Sequence, residues 1–512
     1  MDIKKKYALL TFLAIAAFTA FRFWYITVLP LSADEAYLWV CSRNLALSFY
    51  DTPPMAPFMI FISTLLFGNS EFAVRAFAAV FMALSALVAA LLGKEISGGE
   101  EKPAFFSALL ILIIPGFAFA GLLSGVEAPL VFFYLLSVYF LYRALIKGEN
   151  SSWFYAGIAT GLGFLSKYLI LFIPLCLFIY LIFTEKRRYL RTPFPYIFLL
   201  TGLLISSPVI IWNAQNQWAS FILNFFSRTR TSPVLSFSLL NLLKHSGAQA
   251  GILSPLVLIM LVYAFFRISL EGFSGKNRKM LFLAFFSGPV LIFFGIYSLL
   301  IEVPAPHWAG IGYLALIAGL PCIIHERKCG RRIKGFFNVS LITGFIITGL
   351  LHSVPYAKEA FLKMPVRENT KTEFESFLNR WPEKAGKRLG EIRESLEGKG
   401  EYFLIGRGFA LASYLEFYNP GQERVYMVFQ RTKVGHGYYF WQDINENAGK
   451  NAIFADENPR FEEELKGLFR RIERMDDYHI CNREGKLLKS ILFYDCTGFK
   501  GMEKEKPPVL RR

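Results

Sequence analysis

Residues 7–39 read YALLTFLAIAAFTAFRFWYITVLPLSADEAYLW, and this stretch decides how the chain must fold. Its first part, 7–31, is almost wholly apolar and exceeds the roughly 20 helical residues that cross the hydrocarbon layer of a membrane. Two acids, Asp34 and Glu35, follow directly, where the chain leaves the membrane. Lysines occupy positions 4–6, but no small-residue cleavage site follows the apolar run. We therefore expect a retained first span rather than a signal peptide.

The rest of the chain repeats this pattern. Hydrophobic residues make up 54% of the 512 positions, 53 of them Phe, and the mean hydropathy is +0.40, which excludes an ordinary soluble protein. Spanning segments must be helical here, because the backbone finds no water to bond in hydrocarbon. The apolar windows predict a polytopic α-helical membrane protein with about 11 transmembrane helices, at 7–31, 70–93, 104–122, 128–146, 153–167, 168–184, 194–212, 249–266, 280–300, 308–325 and 336–354.

The positions of the basic residues predict the orientation. Clusters at 4–6, 186–191 and 327–334 fall in loops on one side, which the positive-inside rule places in the cytoplasm. This asymmetry holds along the whole chain only if 153–184 crosses the membrane twice. The formal net charge of +16 then reflects topology, and no nucleic-acid partner is expected. Before the tail, the loops on the opposite side carry only Arg43, Arg228, Arg230 and Lys244.

The composition becomes charged and mixed near residue 355. We predict a transmembrane domain at 1–354, with outer loops at 32–69 and 213–248, and a soluble extracytoplasmic α/β domain at 355–512. Its helical-looking stretch is 367–398, and its strand-like pieces include 402–405 and 425–429. Cys481 and Cys496 could form a disulfide there if the compartment is oxidising.

Candidate chemistry begins with the acids after the first span. Asp34 and Glu35 could act as a general base or hold a divalent ion, although the sequence requires no metal. The alternative is that Ser32 or Asp34 caps a helix that starts at Glu35. Arg75 lies near the outer end of the second span, where anchoring at the interface is the alternative to a functional role.

Further candidates fall on the same predicted side. Glu127 and Lys167 stand among apolar neighbours, where an isolated charge costs roughly 2.5 kcal/mol or more, so each should face a partner or a cavity. The segment 212–230 combines amides and tryptophans suited to sugar with Arg228 and Arg230 suited to phosphate. An interfacial aromatic belt with basic anchors explains that segment equally well. His307 lies in the last outer turn.

Several ordered motifs together resemble the GT-C class of membrane glycosyltransferases, in the bacterial branch related to dolichyl-phosphate-mannose protein mannosyltransferases and to the aminoarabinose and galacturonic acid transferases of lipid A. The motifs are ADEAYLW at 33–39, YDTPPMAPF at 50–58, EAPLVFFYLL at 127–136, GIATGLGFLSKY at 157–168, PVIIWNAQNQWASF at 208–221, PHW at 306–308 and SYLEFYNPGQERVY at 413–426. Two positions depart from that branch, which often has His at the place of Thr52 and Asp at the place of Glu127.

The resemblance implies inverting transfer of a sugar from a polyprenyl-phosphate donor to lipid A or core oligosaccharide, with Asp34 as general base and Glu35 as its helper. A protein mannosyltransferase-like enzyme, or a transporter or flippase, is the alternative. The resemblance also implies that the protein lies in a bacterial inner membrane, contacts membrane lipids and has its active site on the periplasmic side. We expect the donor phosphate to be bound by Lys167, Arg228, Arg230 and Arg75, and the sugar or acceptor by Tyr37, Tyr50, Asp51, Glu127, Asn213, Trp218 and His307.

Overall fold

The structure, a computed structural model, describes residues 2–227, 237–275, 277–301, 303, 305–326, 329–363, 367–430, 432, 434–458, 462–503, 507 and 510. A bundle of helices extends to residue 353, and a domain with a five-stranded sheet follows it. We call this second part the outer domain. The end of the bundle that contacts it is called the outer end.

The bundle is built from α-helices joined by short 3₁₀ and π segments at Arg143–Lys147, Tyr168–Leu171, Glu185–Arg191, Ile222–Ser227 and Pro306–Tyr313. The helices are α1 (Ile3–Tyr25), α2 (Ala33–Arg43), α3 (Met55–Phe67), α4 (Glu71–Ser97), α5 (Glu101–Ile113), α6 (Pro115–Ala120), α7 (Glu127–Tyr142), α8 (Ser151–Ser166), α9 (Phe172–Phe183), α10 (Phe194–Gln215), α11 (Ala219–Phe221), α12 (Leu239–Leu253), α13 (Pro255–Phe273), α14 (Arg278–Leu300), α15 (Leu314–His325) and α16 (Arg331–Ser353).

The chain is an integral membrane protein. Among the described residues, eight helical stretches are long and apolar enough to span a membrane, or nine if the bent pair Tyr168–Phe183 and Glu185–Arg191 is one span. Every predicted window contains a helix, but the windows 104–122, 153–167 and 168–184 hold short or broken ones. The predicted number of about eleven spans is therefore not confirmed.

The segment 151–184 forms two helices that run out and back. Trp153, at the start of α8, contacts the ring of Tyr189 beyond the end of α9, with ring centroids 5.4 Å apart. The 16 residues of α8 carry the chain about 24 Å away from the end where Trp153 lies, since each helical residue adds 1.5 Å, and α9 brings it back to Tyr189. The chain reverses at Lys167, whose backbone is extended. This reversal agrees with the predicted double crossing and places Lys167 at the tip of a hairpin.

The hairpin is held against α10 by small residues. A Cβ added at Gly157 would lie 2.6 Å from the carbonyl oxygen of Phe198, and one at Gly161 would lie 2.9 Å from that of Gly202. Glycines four residues apart allow membrane helices to approach this closely. The contact therefore fixes α8, and with it the position of Lys167.

The helix break between α5 and α6 has an identifiable cause. Pro115 cannot continue α5, and Ile114 before it is extended. The carbonyl oxygen of Ile113, left at the break, accepts a hydrogen bond of 2.7 Å from the hydroxyl of Thr348 in α16. The break is thus satisfied inside the protein, as a membrane interior requires.

The outer domain places helices beside a mixed sheet. Strands β1, β2 and β3 are mutually parallel, whereas β5 pairs antiparallel with β3 and with β4, giving the order β2-β1-β3-β5-β4. The helical-looking stretch 367–398 is two helices that are separated at Arg380, where φ is +55°. The elements are α17 (Lys358–Leu362), α18 (Glu368–Leu378), α19 (Trp381–Ser395), β1 (Tyr402–Arg407), α20 (Gly408–Tyr418), β2 (Val425–Val428), α21 (Tyr438–Trp441), the 3₁₀ segment Ile444–Asn447, β3 (Asn451–Asp456), α22 (Glu462–Lys466), β4 (Phe469–Cys481) and β5 (Leu487–Phe499).

The outer domain shares one hydrophobic core with the first outer loop. Leu404 and Ile453 from one face of the sheet belong to the same buried cluster as Ala36 and Trp39 of α2. The ring of Trp39 packs edge-on against Phe417 of α20, with centroids 5.0 Å apart. Loop 32–69 is therefore packed between the bundle and the outer domain.

The disulfide that the sequence left open is not formed. Cys481 pairs with Leu487 across the β4–β5 hairpin, whereas Cys496 pairs with Ile472, and both thiols are free. Cys496 lies nine positions after Leu487 along β5, or roughly 30 Å at 3.3–3.4 Å per strand residue. Spacing in the sequence could not show this, because it depends on the register of the hairpin.

Glu416 of α20 is a buried acid near the contact between the outer domain and α2. Its carboxylate accepts a hydrogen bond of 3.0 Å from the Val425 amide. Burial raises the pKa of Glu416 to about 7, and that hydrogen bond and the charges of Arg424 and Arg43 offset the effect only in part. The folded protein therefore binds this proton more tightly than the unfolded chain.

We expect Glu416→Gln to flatten the pH dependence of stability. Because the folded pKa lies above the ordinary value of 4.5, the free energy of unfolding falls as pH rises from about 4.5 to about 7. Glutamine carries no charge at any of these pH values. Thermal unfolding in detergent between pH 5 and 8 tests this, and an equally steep decline in both proteins would contradict it.

Candidate active site at the outer end of the bundle

The two acids after the first span have different environments. Glu35 is 1% exposed and forms a capping box with Ser32, while Asp34 is exposed in the first turn of α2. Glu35 also accepts hydrogen bonds from Arg75 at 2.6 and 2.7 Å and from the Ser124 amide at 2.8 Å. Burial alone would raise the pKa of Glu35, but the charge and hydrogen bonds of Arg75 outweigh burial and hold it below its ordinary value. The capping interpretation is therefore correct for Ser32, and Asp34 is the acid that faces outward.

Arg75 is buried and uses all five of its N–H donors inside the protein. Two bond Glu35, and the others bond the carbonyl oxygens of Ile26, Leu29 and Pro30 at 2.7–2.8 Å. No donor remains for a phosphate in this arrangement. The geometry thus argues against the predicted role of Arg75 in phosphate binding and assigns it to the support of the first loop.

Glu127, Lys167 and His307 meet at the mouth of a cleft. The Lys167 ammonium lies 2.6 Å from the Glu127 carboxylate and 5.7 Å from the centroid of the Trp308 ring, and His307 Nε2 lies 3.3 Å from the same carboxylate oxygen. His307 is 49% exposed. The cleft has an empty volume of about 450 Å³ and a largely apolar wall. It is lined by Gly116, Phe117, Ala120, Glu127, Leu130, Val131, Lys167, Leu169, Ile252, His307, Trp308, Gly310 and Ile311.

The cleft lies next to the acids of α2. Ser124, whose amide donates to Glu35, precedes Glu127 by three residues. Three residues of chain span at most about 10 Å. Glu127, Lys167 and His307 are therefore in contact at the outer end of the bundle, and Asp34 lies at the same end, beside Glu35.

Tyr37 and Asp51 form a buried pair behind the acids. The Tyr37 hydroxyl donates to Asp51 at 2.6 Å, and the other oxygen of Asp51 accepts from the Gly435 amide at 3.0 Å. Burial and the Asp51 carboxylate raise the pKa of Tyr37 well above its ordinary value, so this hydroxyl remains a donor. Tyr50 is also buried, with its ring stacked on Phe440 at 5.6 Å. These three predicted binding residues therefore lie behind the site surface.

The second outer loop begins with a tight turn that Asn213 holds. Its side chain is fully buried, donates to the carbonyl of Val209 and accepts from the amide of Phe221. Trp218 adopts a φ of +60°, is 47% exposed and stacks on Phe221. Asn213 is thus a structural residue of this turn, while a binding role for the exposed Trp218 stays a prediction.

Two further predictions concern the arginines of the second outer loop and a metal ion at the first two acids. Arg228 and Arg230 lie outside the described residues. A divalent ion at Asp34 and Glu35 is not favoured, because Arg75, Ser32 and Ser124 already occupy both oxygens of Glu35. Across the described part of the chain, no three His, Cys, Asp or Glu side chains are grouped to hold a metal.

The outer domain also contributes a segment, 434–441, to the surroundings of the site, and the sequence did not predict this contact. It touches Asp51 through Gly435 and Tyr50 through Phe440. Its letters, VGHGYYFW, show two glycines within an aromatic run, which is unusual for a solvated loop. That composition signals a buried contact but does not identify the surface it touches.

Comparisons with known proteins agree with this architecture. Residues 51–212 match the family model of dolichyl-phosphate-mannose-protein mannosyltransferase. The crystal structure of ArnT from Cupriavidus metallidurans bound to undecaprenyl phosphate superposes with a TM-score of 0.64 at 14% identity, covering 96% of this chain and 99% of that one. An oligosaccharyltransferase from Archaeoglobus fulgidus in the apo form gives 0.51 at 11% identity, covering 99% and 76%. The chain therefore has the fold of these membrane proteins, and the matches support the resemblance predicted from the sequence.

Proteins with similar sequences are transferases of two named kinds. The chain is 24% identical over 307 residues to lipid A galacturonosyltransferase RgtD of Rhizobium johnstonii, covering 58% of this chain and 62% of the relative. It is 30% identical over 139 residues to the undecaprenyl phosphate-alpha-4-amino-4-deoxy-L-arabinose arabinosyl transferase of Pseudomonas aeruginosa, covering 25% and 24%. The matches thus span about three fifths of the first relative and a quarter of the second.

We expect Glu35→Ala to destabilise the protein strongly. The substitution leaves the Arg75 guanidinium buried without its counter-charge, which typically costs about 3–5 kcal/mol. Thermal unfolding in detergent measures the loss. Arg278→Ala, which breaks an ion pair exposed on both sides, is the matched control and should change stability little. Equal melting temperatures for the two variants would contradict the structural role of Glu35.

Proposed function

We propose that this protein transfers a sugar from a polyprenyl-phosphate donor to a hydroxyl group of a glycolipid, lipid A or its core oligosaccharide, with inversion at the sugar. The observation that carries the proposal is the cleft beside Asp34. Its mouth holds the ion pair of Lys167 and Glu127 beside the His307 ring, and its wall is apolar. A polyprenyl phosphate has the same division between an anionic head and a hydrocarbon tail. The fold shared with ArnT bound to undecaprenyl phosphate supports this assignment.

Lys167 is proposed to receive the donor phosphate. Its ammonium is largely buried, is held by Glu127 and approaches the Trp308 ring, so it is confined to the mouth of the cleft. A cation placed where charge develops on the leaving phosphate lowers the barrier to transfer. Glu127 and His307 would then orient Lys167 and contact the sugar.

Asp34 is proposed as the general base. The acceptor oxygen attacks the anomeric carbon while its proton passes to the Asp34 carboxylate. The bond between that carbon and the phosphate oxygen breaks, and its electron pair leaves with the phosphate. Asp34 suits this step because it is exposed on a helix that Glu35 anchors, next to the cleft.

The outer end of the bundle is proposed to face the periplasm of a bacterial inner membrane. The basic loop residues on the opposite side support this orientation by the positive-inside rule. The names of the relatives, which are transferases of lipid A or use undecaprenyl phosphate sugars, favour a glycolipid acceptor over a protein hydroxyl. Mass spectrometry of lipids and glycans from cells with and without the gene would name the sugar and its acceptor.

We expect Asp34→Asn to lower kcat by about 10²–10⁴-fold, the usual contribution of a general base. Asparagine keeps the shape of the side chain and cannot take the proton. The assay is transfer from a radiolabelled polyprenyl-phosphate sugar to lipid A by purified protein in detergent. A variant with near-normal turnover and an unchanged melting temperature would exclude Asp34 as the base.

We expect Lys167→Gln to raise the KM for the lipid donor by about 10- to 100-fold, because it removes a charge-assisted hydrogen bond. Lys147→Gln is the matched control, since Lys147 also pairs with a glutamate but lies at the other end of α7. An unchanged donor KM in a folded Lys167→Gln protein would remove this residue from the phosphate site.

A further inference from the structure

The outer domain reaches the first outer loop through the segment Val434–Trp441, which we call the docking segment. The segment follows β2 closely and so leaves the sheet at the carboxyl end of a parallel strand. Its Gly435 amide donates to the Asp51 carboxylate at 3.0 Å. The second oxygen of Asp51 accepts from the Tyr37 hydroxyl at 2.6 Å. Asp51 thus joins the docking segment to α2.

Tyr37 connects this contact to Asp34. The two residues are three positions apart on α2, and residues at this spacing are neighbours on a helix surface. The Tyr37 ring also stacks on Trp441 of the docking segment, with centroids 6.2 Å apart. A rotation of α2 that redirected Asp34 would therefore break both contacts of Tyr37.

Aromatic stacking fixes the other end of the docking segment. The Phe440 ring stacks on Tyr50 at 5.6 Å and contacts the ring of Trp212, at the end of α10, at 5.2 Å. Phe440 therefore bridges the first outer loop and the bundle. Aromatic pairs of this kind contribute about 0.5–1.5 kcal/mol beyond the area they bury.

Glycines allow the docking segment to lie this close. A Cβ on Gly437 would lie 2.1 Å from the Tyr37 hydroxyl oxygen, so no side chain fits there. Gly435 adopts a φ of +81°, and its added Cβ would lie 2.3 Å from the Phe409 ring. The backbone of the segment is thus in direct contact with the residues that hold α2.

We propose that the docking segment is a positioning element for the transfer step. Together with Glu35 and Arg75 it holds α2 from two sides and sets the direction in which Asp34 points. This inference rests on the proposed function, in which Asp34 is the general base. The residues that line the donor cleft do not include Tyr37, Tyr50, Asp51 or Trp212, which the docking segment contacts. Loss of the contact should therefore lower kcat and leave donor binding intact.

The experiment compares Tyr37→Phe and Phe440→Ala with the unmodified protein at full length. Tyr37→Phe removes only the hydroxyl that donates to Asp51. We expect each variant to lower kcat by about 10-fold or more, since small displacements of catalytic groups are costly, while the KM for the polyprenyl-phosphate donor stays within about twofold. Phe440→Tyr, which keeps the ring, should restore most of the turnover. Leu487→Ala, at an exposed position in the β4–β5 hairpin, is the control and should keep normal kinetics.

Two kinetic results would overturn the inference. One is retention of at least half the normal kcat by both variants. The other is a rise in donor KM as large as the fall in kcat, which would mean that the segment supports the whole site rather than Asp34.

Hydrogen exchange separates this inference from the proposed function. Phe440→Ala should accelerate exchange of the backbone amides in 33–43 and leave those in 127–142 unchanged, whatever reaction the protein catalyses. If the unmodified protein transfers no polyprenyl-phosphate sugar, the proposed function fails while the exchange result still tests the coupling. Unchanged exchange in 33–43 would overturn the inference even in an active enzyme.

Discussion

The guanidinium of Arg75 is buried where the bundle ends, and the arrangement of the outer loops depends on how it is satisfied. A charge at this depth is tolerated only when it is paired and every donor is bonded. Glu35 supplies the counter-charge, and the carbonyl oxygens of Ile26, Leu29 and Pro30 take the remaining donors. Those carbonyls follow the end of α1, where helical hydrogen bonding stops. The Arg75 side chain therefore neutralises an acid and also supplies hydrogen bonds to backbone carbonyl oxygens after α1 that no helical amide reaches.

The same pair determines what stands near Asp34. Because Glu35 also accepts from the Ser124 amide, the start of α2 is tied to the segment that leads into α7. Glu127 begins that helix and holds Lys167 at the tip of the α8–α9 hairpin. Three elements that are distant in sequence thus meet because buried polar groups require partners. The adjacent acids 34 and 35 consequently have different environments, since Glu35 is buried in this network and Asp34 is exposed.

Much of the fold follows from the sequence because its signals are local. Each predicted span contains a helix, Lys167 marks a reversal as the loop charges required, and β1 and β2 lie where alternating residues predicted strands. The cost of isolated charges in a membrane predicted that Glu127 and Lys167 would each have a partner or a cavity, and the structure pairs them with each other. The roles of Arg75 and Asn213 could not be predicted, since charge and amide groups suit a ligand as well as a buried network. The separation of Cys481 from Cys496 depends on strand register, which composition does not encode.

The core that includes both Trp39 and Ile453 has a consequence for how such proteins can be recombined. A chimera could be cut where the outer domain leaves the last helix of the bundle, near residue 354. In this protein that cut would separate α20 and the docking segment from the loop against which they are packed. The natural unit of exchange is discontinuous and combines residues 32–69 with the outer domain. A variant that carries a foreign outer domain must therefore carry, or adapt to, the matching first loop.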